Sequence, residues 1–250
     1  MNNQQVQEFI RIAEEYNSKC CSRDERETDV KKFNAAPHCW LLGAVMDRGI
    51  PFAKAWNIPF EIANREFEGD TSFAKFSSLS KYAYYRIFDT PPYLHRYKSI
   101  MAKNFYLAVQ KIKNEYSSDA SNIWRGNLSS FEVVSRLKEF KGVGDKIATM
   151  CCNILYRDLG IVFSDLRAIN VSPDIHVKRV FYRLGLVNRI QEDPRIIMSV
   201  ARNLHSKYPG VFDLVCWMVG QEGICVNDIN KCKCEKCPLS RICLKQNLLV

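Results

Sequence analysis

The sequence predicts an all-α protein, arranged as a helical bundle in two parts with a cleft between them. Three observations lead to this prediction. Apolar residues recur at the spacing of a helix face along most of the chain, no segment alternates apolar and polar residues convincingly, and no asparagine–glycine hairpin signal is present. The hydrophobic content of 47% over 250 residues is enough to build a substantial core.

The start of the chain predicts two helices of different character. The first is amphipathic, because Val6, Phe9, Ile10 and Ala13 fall on one helical face. The segment 36–46 is apolar nearly all round, which predicts a helix that is buried on every side.

Proline and capping residues indicate where the helices of the middle segment begin. Pro51 suits the first turn of a helix, where its missing N–H group would have no partner in any case. A long helix is predicted from about Tyr93 to Tyr116, with apolar residues at core spacing. Ser129 and Glu132 have the spacing of a capping box at the start of the helix after it.

The same periodicity continues to the C-terminal third. Helices are predicted at 145–158, 174–184, 194–207 and 211–220. We expect the chain to divide into an N-terminal helix (1–34) that packs with the C-terminal domain, a barrel-like helical domain (35–150), and a C-terminal helical domain ending in a cysteine-rich loop (151–250).

The charge and the cysteine usage indicate partner and compartment. A formal net charge of +9 and a pI near 9.0 favour a polyanionic partner, most often nucleic acid. The cysteine count is 11, an odd number, and two vicinal pairs occur, at 20–21 and 151–152, with no signal peptide before them. These features argue against a disulfide framework and favour a reducing, intracellular location. No apolar run reaches the length of a membrane span, so no membrane partner is expected.

A cysteine-rich segment near the C-terminus has the composition of a metal site. Cys225, Cys234, Cys237 and Cys243 have the spacing C-x8-C-x2-C-x5-C, and Cys232 is an alternative second member that shortens the first gap to x6. Thiolates this close along the chain can hold one zinc ion or one iron–sulfur cluster, and the sequence does not separate the two. The segment also carries basic residues suited to phosphate: Lys231, Lys233 and Lys236.

Two further segments carry candidate site residues. The turn at 142–144, Gly-Val-Gly, joins two predicted helices, and its glycines allow backbone amides to approach a phosphate at the start of the next helix. Downstream, Ser172 is predicted to be an N-cap and Pro173 the first helical residue, which places Asp174 in the first turn.

Together these segments resemble the helix-hairpin-helix DNA glycosylases, and in particular the iron–sulfur branch typified by endonuclease III. The resemblance rests on Gly-Val-Gly-x-Lys at 142–146, Asp-x-His-Val-x-Arg-Val at 174–180, and the cysteines that follow in the right order. It covers roughly residues 35–243, and the segment 41–51 is similar to the family's early buried helix and the DNA-probing turn after it.

The resemblance implies a base-excision-repair DNA glycosylase with abasic-site lyase activity, which flips a damaged or mispaired base out of double-stranded DNA and excises it. Lys146 would be the lyase nucleophile and Asp174 the catalytic aspartate. Arg48, where many relatives place glutamine, would probe the DNA. The hairpin that holds the backbone phosphate would be Gly142, Val143 and Gly144, and the ligands of a [4Fe–4S] cluster would be Cys225, Cys234, Cys237 and Cys243.

Departures from the family pattern leave alternatives open. An ungapped count from Lys146 reaches Asp165, although the residues around Asp174 match the family better. The alternative functions are a monofunctional glycosylase without lyase activity and a non-catalytic DNA-binding module. Zinc is the alternative to the cluster. We expect a monomer in the cytoplasm or nucleoid.

Overall fold

A computed structural model describes residues 1–19 and 30–244, so part of the predicted N-terminal region and the end of the predicted C-terminal domain lie outside the described residues. The prediction of an all-α fold is confirmed, since the described residues contain helices and no strand. The α-helices are α1 (Asn3–Lys19), α2 (30–35), α3 (Pro37–Val45), α4 (Phe52–Glu66), α5 (Phe73–Ser78), α6 (Lys81–Asp89), α7 (Lys98–Glu115), α8 (Ser130–Lys138), α9 (Asp145–Arg157), α10 (Ile175–Arg183), α11 (Pro194–Leu204) and α12 (Asp213–Gln221). Short 3-10 helices lie at Ala120–Ile123, Pro209–Phe212, Ile229–Lys231 and Cys234–Lys236.

The described chain forms two compact units, each with its own core. Residues 1–19, 129–131 and 152–244 form one, called here the terminal unit, and residues 30–128 and 132–151 form the other, called the central unit. No helix in the described part of the chain is both long and apolar enough to cross a bilayer.

The core of the terminal unit is built around three phenylalanines from distant parts of the sequence. Phe9 of α1 stacks on Phe212 with ring centroids 4.5 Å apart, and it meets Phe181 of α10 edge-on at 6.2 Å. All three rings are fully buried, and each such side chain contributes about 1.5–3 kcal/mol of transfer free energy. Asn17 adds a hydrogen bond from its Nδ2 to Val211 O at 2.6 Å. Phe9 and Ala13 of the face predicted for α1 are buried, whereas Val6 and Ile10 are only half-buried and Ile12 is buried as well.

The core of the central unit holds α3 against α4 and α7. The prediction that 36–46 is buried on every side is confirmed, since α3 has buried residues all along its length. A Cβ on Gly43 would lie 2.9 Å from Trp56 Cα, so the two helices approach as closely as a glycine allows. Trp40 meets both Trp56 and Trp124 at ring distances of 5.5 and 5.4 Å. This close packing fixes the C-terminal end of α3, where candidate site residues begin.

One predicted helix starts later than expected. The long helix predicted from Tyr93 begins at Lys98, because the side chain of buried His95 accepts the Tyr97 N–H through Nδ1 at 3.0 Å and holds 93–97 in a turn. The segment predicted as one helix at 211–220 is a 3-10 turn followed by α12. The helices predicted at 145–158, 174–184 and 194–207 are confirmed, and no end differs from the prediction by more than three residues.

Candidate functional site

The turn at 142–144 leads into α9 within the central unit. Gly142 has a φ of +98°, and a Cβ on it would lie 2.7 Å from Asn104 Nδ2, so the backbone angle and the neighbour both require glycine. Val143 is buried, and its N–H donates to Phe140 O at 3.0 Å. A Cβ on Gly144 would have no heavy atom within 4 Å. A phosphate therefore has room beside the first turn of α9, whose amides have no intrahelical acceptor.

Lys146 lies in that first turn and forms an ion pair that the sequence did not predict. Its Nζ is 3.2 Å from Oδ2 of Asp47, a residue 99 positions earlier that lies two residues after the C-terminal end of α3. The Asp47 side chain is 9% exposed, whereas the Lys146 side chain is 42% exposed. The Asp47 N–H donates to Ala44 O at 3.0 Å, which ties the carboxylate to buried α3. The ammonium is thus anchored on one side and accessible to solvent on the other.

Arg48 follows Asp47 in an exposed turn of the central unit. Its N–H donates to Met46 O at 2.7 Å, and Gly49 has a φ of +70°. Arg96 Nη1 donates to Gly49 O at 3.5 Å, and its guanidinium lies 4.9 Å from the centroid of the Tyr97 ring. The backbone of the turn is therefore braced from the segment before α7, while the Arg48 side chain is open to solvent.

Asp174 belongs to the terminal unit and is the N-cap of α10. The prediction that Ser172 is the N-cap and Asp174 a first-turn residue is wrong by two positions. Oδ1 of Asp174 accepts the N–H groups of His176 and Val177, both at 2.8 Å, and this bond pattern defines the cap. Ser172 is buried, and Asp213 hydrogen-bonds both its N–H and its hydroxyl, so the Ser172 side chain is already engaged away from the start of α10. The cap fixes the orientation of the Asp174 carboxylate at the helix start.

A second carboxyl group lies beside this cap. Asp213, the first residue of α12, accepts the Ser172 N–H through Oδ1 at 2.5 Å. The residue retains some surface exposure, but its carboxyl group is enclosed by protein atoms. This burial raises the pKa of Asp213 to about 7, the Ser172 N–H works in the opposite direction, and the negative charge of Asp174 adds to the rise. Asp165, the other candidate aspartate, accepts hydrogen bonds from the Ser130 hydroxyl and the Arg167 N–H, both at 2.9 Å.

The motif around Asp174 continues into a polar link between α10 and the segment that follows α12. Nδ1 of His176 lies 2.9 Å from Nη2 of Arg179, whose Nη1 donates to Asn227 Oδ1 at 3.0 Å. Burial lowers the pKa of His176, with Asp174 opposing and Arg179 adding to the fall. A Cβ on Gly220 of α12 would overlap the His176 ring. The close approach of α12 therefore depends on this glycine.

The cysteine-rich segment surrounds one cavity in the terminal unit, of about 430 Å³ including space open to solvent. Its cysteine lining consists of Cys225, Cys232, Cys234, Cys237 and Cys243. In the described residues no group of three or more histidine, cysteine, aspartate or glutamate side chains is arranged to hold a single metal ion. The ligands of a tetranuclear cluster each bond a different iron atom, so they need not converge on one point. Five sulfurs around one cavity fit such a cluster.

Arg183 lines this cavity and places a positive charge against its cysteines. The sequence pattern did not predict this contact. The side chain is buried, and Nη1 donates to Cys225 Sγ at 3.1 Å and to Cys232 Sγ at 2.7 Å. Its Nη2 donates to the carbonyl oxygens of Val226 and Asn227, at 2.6 and 2.9 Å. Burial works against the charge, but the two cysteines outweigh it and raise the pKa of Arg183. Arg183 therefore places a buried positive charge against two of the sulfurs that line the cavity.

The lysines of the cysteine-rich segment lie on its outer surface. Lys231, Lys233 and Lys236 are all exposed, and Lys231 Nζ lies 3.7 Å from Oδ2 of Asp228. Exposed ammonium groups of this kind suit contacts with a phosphate backbone. The structure groups these lysines with the cysteine cavity and with Asp174 in the terminal unit, and it groups Lys146, Arg48 and the turn at 142–144 in the central unit.

Comparison with solved structures shows that this chain has the fold of endonuclease III. One of the matching structures is an endonuclease III, described as a trapped covalent intermediate with DNA in an estranged-adenine complex. The match covers 98% of this chain and 97% of that chain, with a TM-score of 0.64 and 15% sequence identity. No protein-family model matches the sequence, and no curated protein matches it.

Proposed function

We propose that this protein is a DNA glycosylase with abasic-site lyase activity, acting on a damaged or mispaired base in double-stranded DNA. The observation that carries the proposal is a half-exposed lysine, Lys146, in the first turn after a Gly-Val-Gly turn. It occurs in a fold whose solved counterpart was captured as a covalent intermediate with DNA. A lysine that forms a covalent intermediate must be accessible and near the bound DNA. Lys146 is 42% exposed, and it lies two residues after the turn that we propose binds a backbone phosphate.

The proposed reaction follows from the chemistry of the two candidate residues. The target nucleotide is flipped out of the stack, at a cost of a few kcal/mol that is smallest for a damaged or mispaired base. The base leaves with the electron pair of the base–sugar bond, and the Asp174 carboxylate stabilises the positive charge that develops on the sugar. The neutral amine of Lys146 bonds to the anomeric carbon as the base departs. The bond from that carbon to the ring oxygen then breaks, the oxygen takes the electron pair and the proton from nitrogen, and the resulting imine allows the β-elimination that breaks the DNA strand.

The DNA would be held by two groups of residues. The turn formed by Gly142, Val143 and Gly144 leaves room for a backbone phosphate at the start of α9, and Arg48 supplies a solvent-exposed cation in the turn after α3. In the terminal unit, the exposed ammonium groups contribute salt-dependent contacts with phosphates: Lys231, Lys233 and Lys236.

The cavity of the cysteine-rich segment would hold a [4Fe–4S] cluster. Cys225, Cys237 and Cys243 would be three of its ligands, and the fourth would be Cys234 or Cys232. The contact of Arg183 with both Cys225 and Cys232 favours Cys232 as the partner of Cys225. The cluster would brace the lysine-rich loop and supply no group to the reaction. We further propose that the protein acts as a monomer inside the cell.

The test is borohydride trapping on duplexes that carry an abasic site or one damaged base. Lys146→Ala should abolish the covalent adduct. Lys138→Ala is the matched control, because Lys138 is 45% exposed and is also paired with an aspartate, Asp145, at 2.6 Å. Asp174→Asn should abolish base release. Base release without an adduct in the wild type would identify a monofunctional glycosylase, and neither activity on any lesion would identify a DNA-binding module.

A further inference from the structure

Asp47 is the carboxylate in contact with Lys146, and nothing in the motif pattern assigns it a role. Its Oδ2 lies 3.2 Å from Lys146 Nζ, within hydrogen-bond reach, and the bond runs from the ammonium to the carboxylate. In the part of the chain that the structure describes, Asp47 forms no other ion pair. Lys146 is therefore the group that compensates a carboxylate with 9% of its side chain exposed.

The proposed lyase step needs a proton acceptor at this position. An ammonium group has no lone pair, so Lys146 must lose a proton before Nζ can bond to carbon. A general base has to lie within about 2.6–3.2 Å of the proton donor, and Asp47 meets this condition in the protein as it stands. Oδ1 of Asp174 is already occupied by two backbone N–H groups, those of His176 and Val177.

We propose that Asp47 is the general base that deprotonates Lys146, an inference that rests on the proposed lyase function. One proton moves from Nζ to Oδ2, which converts the ion pair into a neutral amine and a neutral carboxylic acid. The lone pair of the amine then forms the bond to the anomeric carbon, and the base leaves with the electrons of the bond that breaks. No oxidant, reductant or further reactant is required.

Binding of DNA supplies the condition that favours this transfer. The ion pair is stable in the free protein because water reaches the ammonium, whose side chain is 42% exposed. DNA bound over Lys146 removes that water, and a low-polarity environment disfavours separated charges relative to the neutral pair. The nearby imidazole of His95 is buried, which lowers its pKa, so it adds no charge at neutral pH.

Asp47, the proposed general base, is next in sequence to the turn that would probe the DNA. Asp47 is followed directly by exposed Arg48, and its own backbone is bonded to α3 through Ala44 O. Lys146 is held at the start of α9 on the other side of the pair. The Asp47 carboxylate is thus held in place by buried structure. Lys146 and the turn at Arg48, which lie on either side of it, face solvent.

The experiment measures adduct formation in single turnovers on a duplex with a preformed abasic site, with enzyme in saturating excess. Asp47→Asn should lower the trapping rate by about 10²-fold or more, the usual contribution of a general base, with DNA affinity within about threefold of wild type. Asp47→Ala leaves space for a small carboxylate, and added formate should restore its rate at least tenfold. Asp47→Glu should keep most of the rate. Asp145→Asn, which removes the carboxylate paired with Lys138, should trap at the wild-type rate.

The outcomes separate this inference from the proposed function. If Lys146→Ala loses the adduct while Asp47→Asn traps as fast as wild type, the lyase stands and the inference is wrong. A loss in Asp47→Ala that formate does not restore would assign Asp47 a structural role and also overturn it. If the wild type forms no adduct, the lyase proposal fails and the inference fails with it. Should Asp47→Asn not fold, the formate response of Asp47→Ala and the activity of Asp47→Glu decide.

Discussion

Replacing Asp213 by asparagine should stabilise the protein at alkaline pH and have little effect in acid. The Asp213 carboxyl is enclosed beside the Asp174 cap, and burial raises its pKa from an ordinary 3.8 to about 7. Asparagine keeps an oxygen that can accept the Ser172 N–H but carries no charge to desolvate. The substitution therefore removes the free-energy cost of burying a negative charge and leaves the hydrogen bond from the Ser172 N–H in place.

The size of the effect follows from proton linkage. Because the folded state holds this proton more tightly than the unfolded state, the stabilisation is complete below pH 3.8 and is lost as the pH rises through 7. At about 1.4 kcal/mol per pH unit, the loss across this window is about 4 kcal/mol. In a protein of this size each kcal/mol shifts Tm by about 2–4 °C, so the advantage of Asp213→Asn should grow to on the order of 10 °C by pH 8.

The assay is thermal unfolding of both proteins at half-unit steps from pH 4 to pH 8.5. Taking the difference between the two melting curves cancels the other groups that titrate in this range. Asp193→Asn is the control, because Arg195 lowers the pKa of exposed Asp193 and its loss should not raise Tm at pH 8. A Tm difference for Asp213→Asn that is constant with pH, or that shrinks as the pH rises, would refute the assignment of a buried, proton-holding carboxyl.

Three further predictions concern the cavity, the turn and the DNA contact. Cys232→Ala should lose bound iron and the visible absorption of a cluster, whereas Cys234→Ala should keep both; zinc in the purified wild type would contradict the cluster itself. Gly142→Ala should lower stability by about 1–3 kcal/mol in chemical denaturation, because of its positive φ and the contact with Asn104. Lys236→Gln should reduce the slope of log K against log salt for DNA binding by about 1, and an unchanged slope would exclude a phosphate contact.

Helix periodicity predicted most of the fold because the spacing of apolar residues along a helix can be read from a short stretch of sequence. The apolar segment at 36–46 and the amphipathic face containing Phe9 both appear where the pattern placed them. The errors came from hydrogen bonds of polar side chains that the sequence pattern does not reveal. His95 accepts the Tyr97 N–H before α7 begins, and Asp213 bonds both the N–H and the hydroxyl of Ser172, which leaves Asp174 as the cap of α10.

The candidate site was predictable only where a motif is contiguous. Gly-Val-Gly and Asp-x-His stand out in the sequence, but Asp47 pairs with Lys146 across 99 positions and Arg183 meets Cys232 across 49. No periodicity encodes such a pair. The available signal for Asp47 was an acidic residue at the end of a fully apolar helix, where nothing in the helix itself calls for a charge.

The terminal unit is built from both ends of the chain, and this affects the order in which the two units can fold during synthesis. Its first helix leaves the ribosome long before its partners exist, since Phe9 packs on Phe212, roughly 200 residues later. At about 5–20 residues per second, α1 waits roughly 10–40 s with an apolar face uncovered. The last residue of the central unit is 151, so this unit is fully synthesised before Phe212 is added and can fold first. A released fragment that ends near residue 160 should therefore protect the central unit from protease and leave α1 open to cleavage.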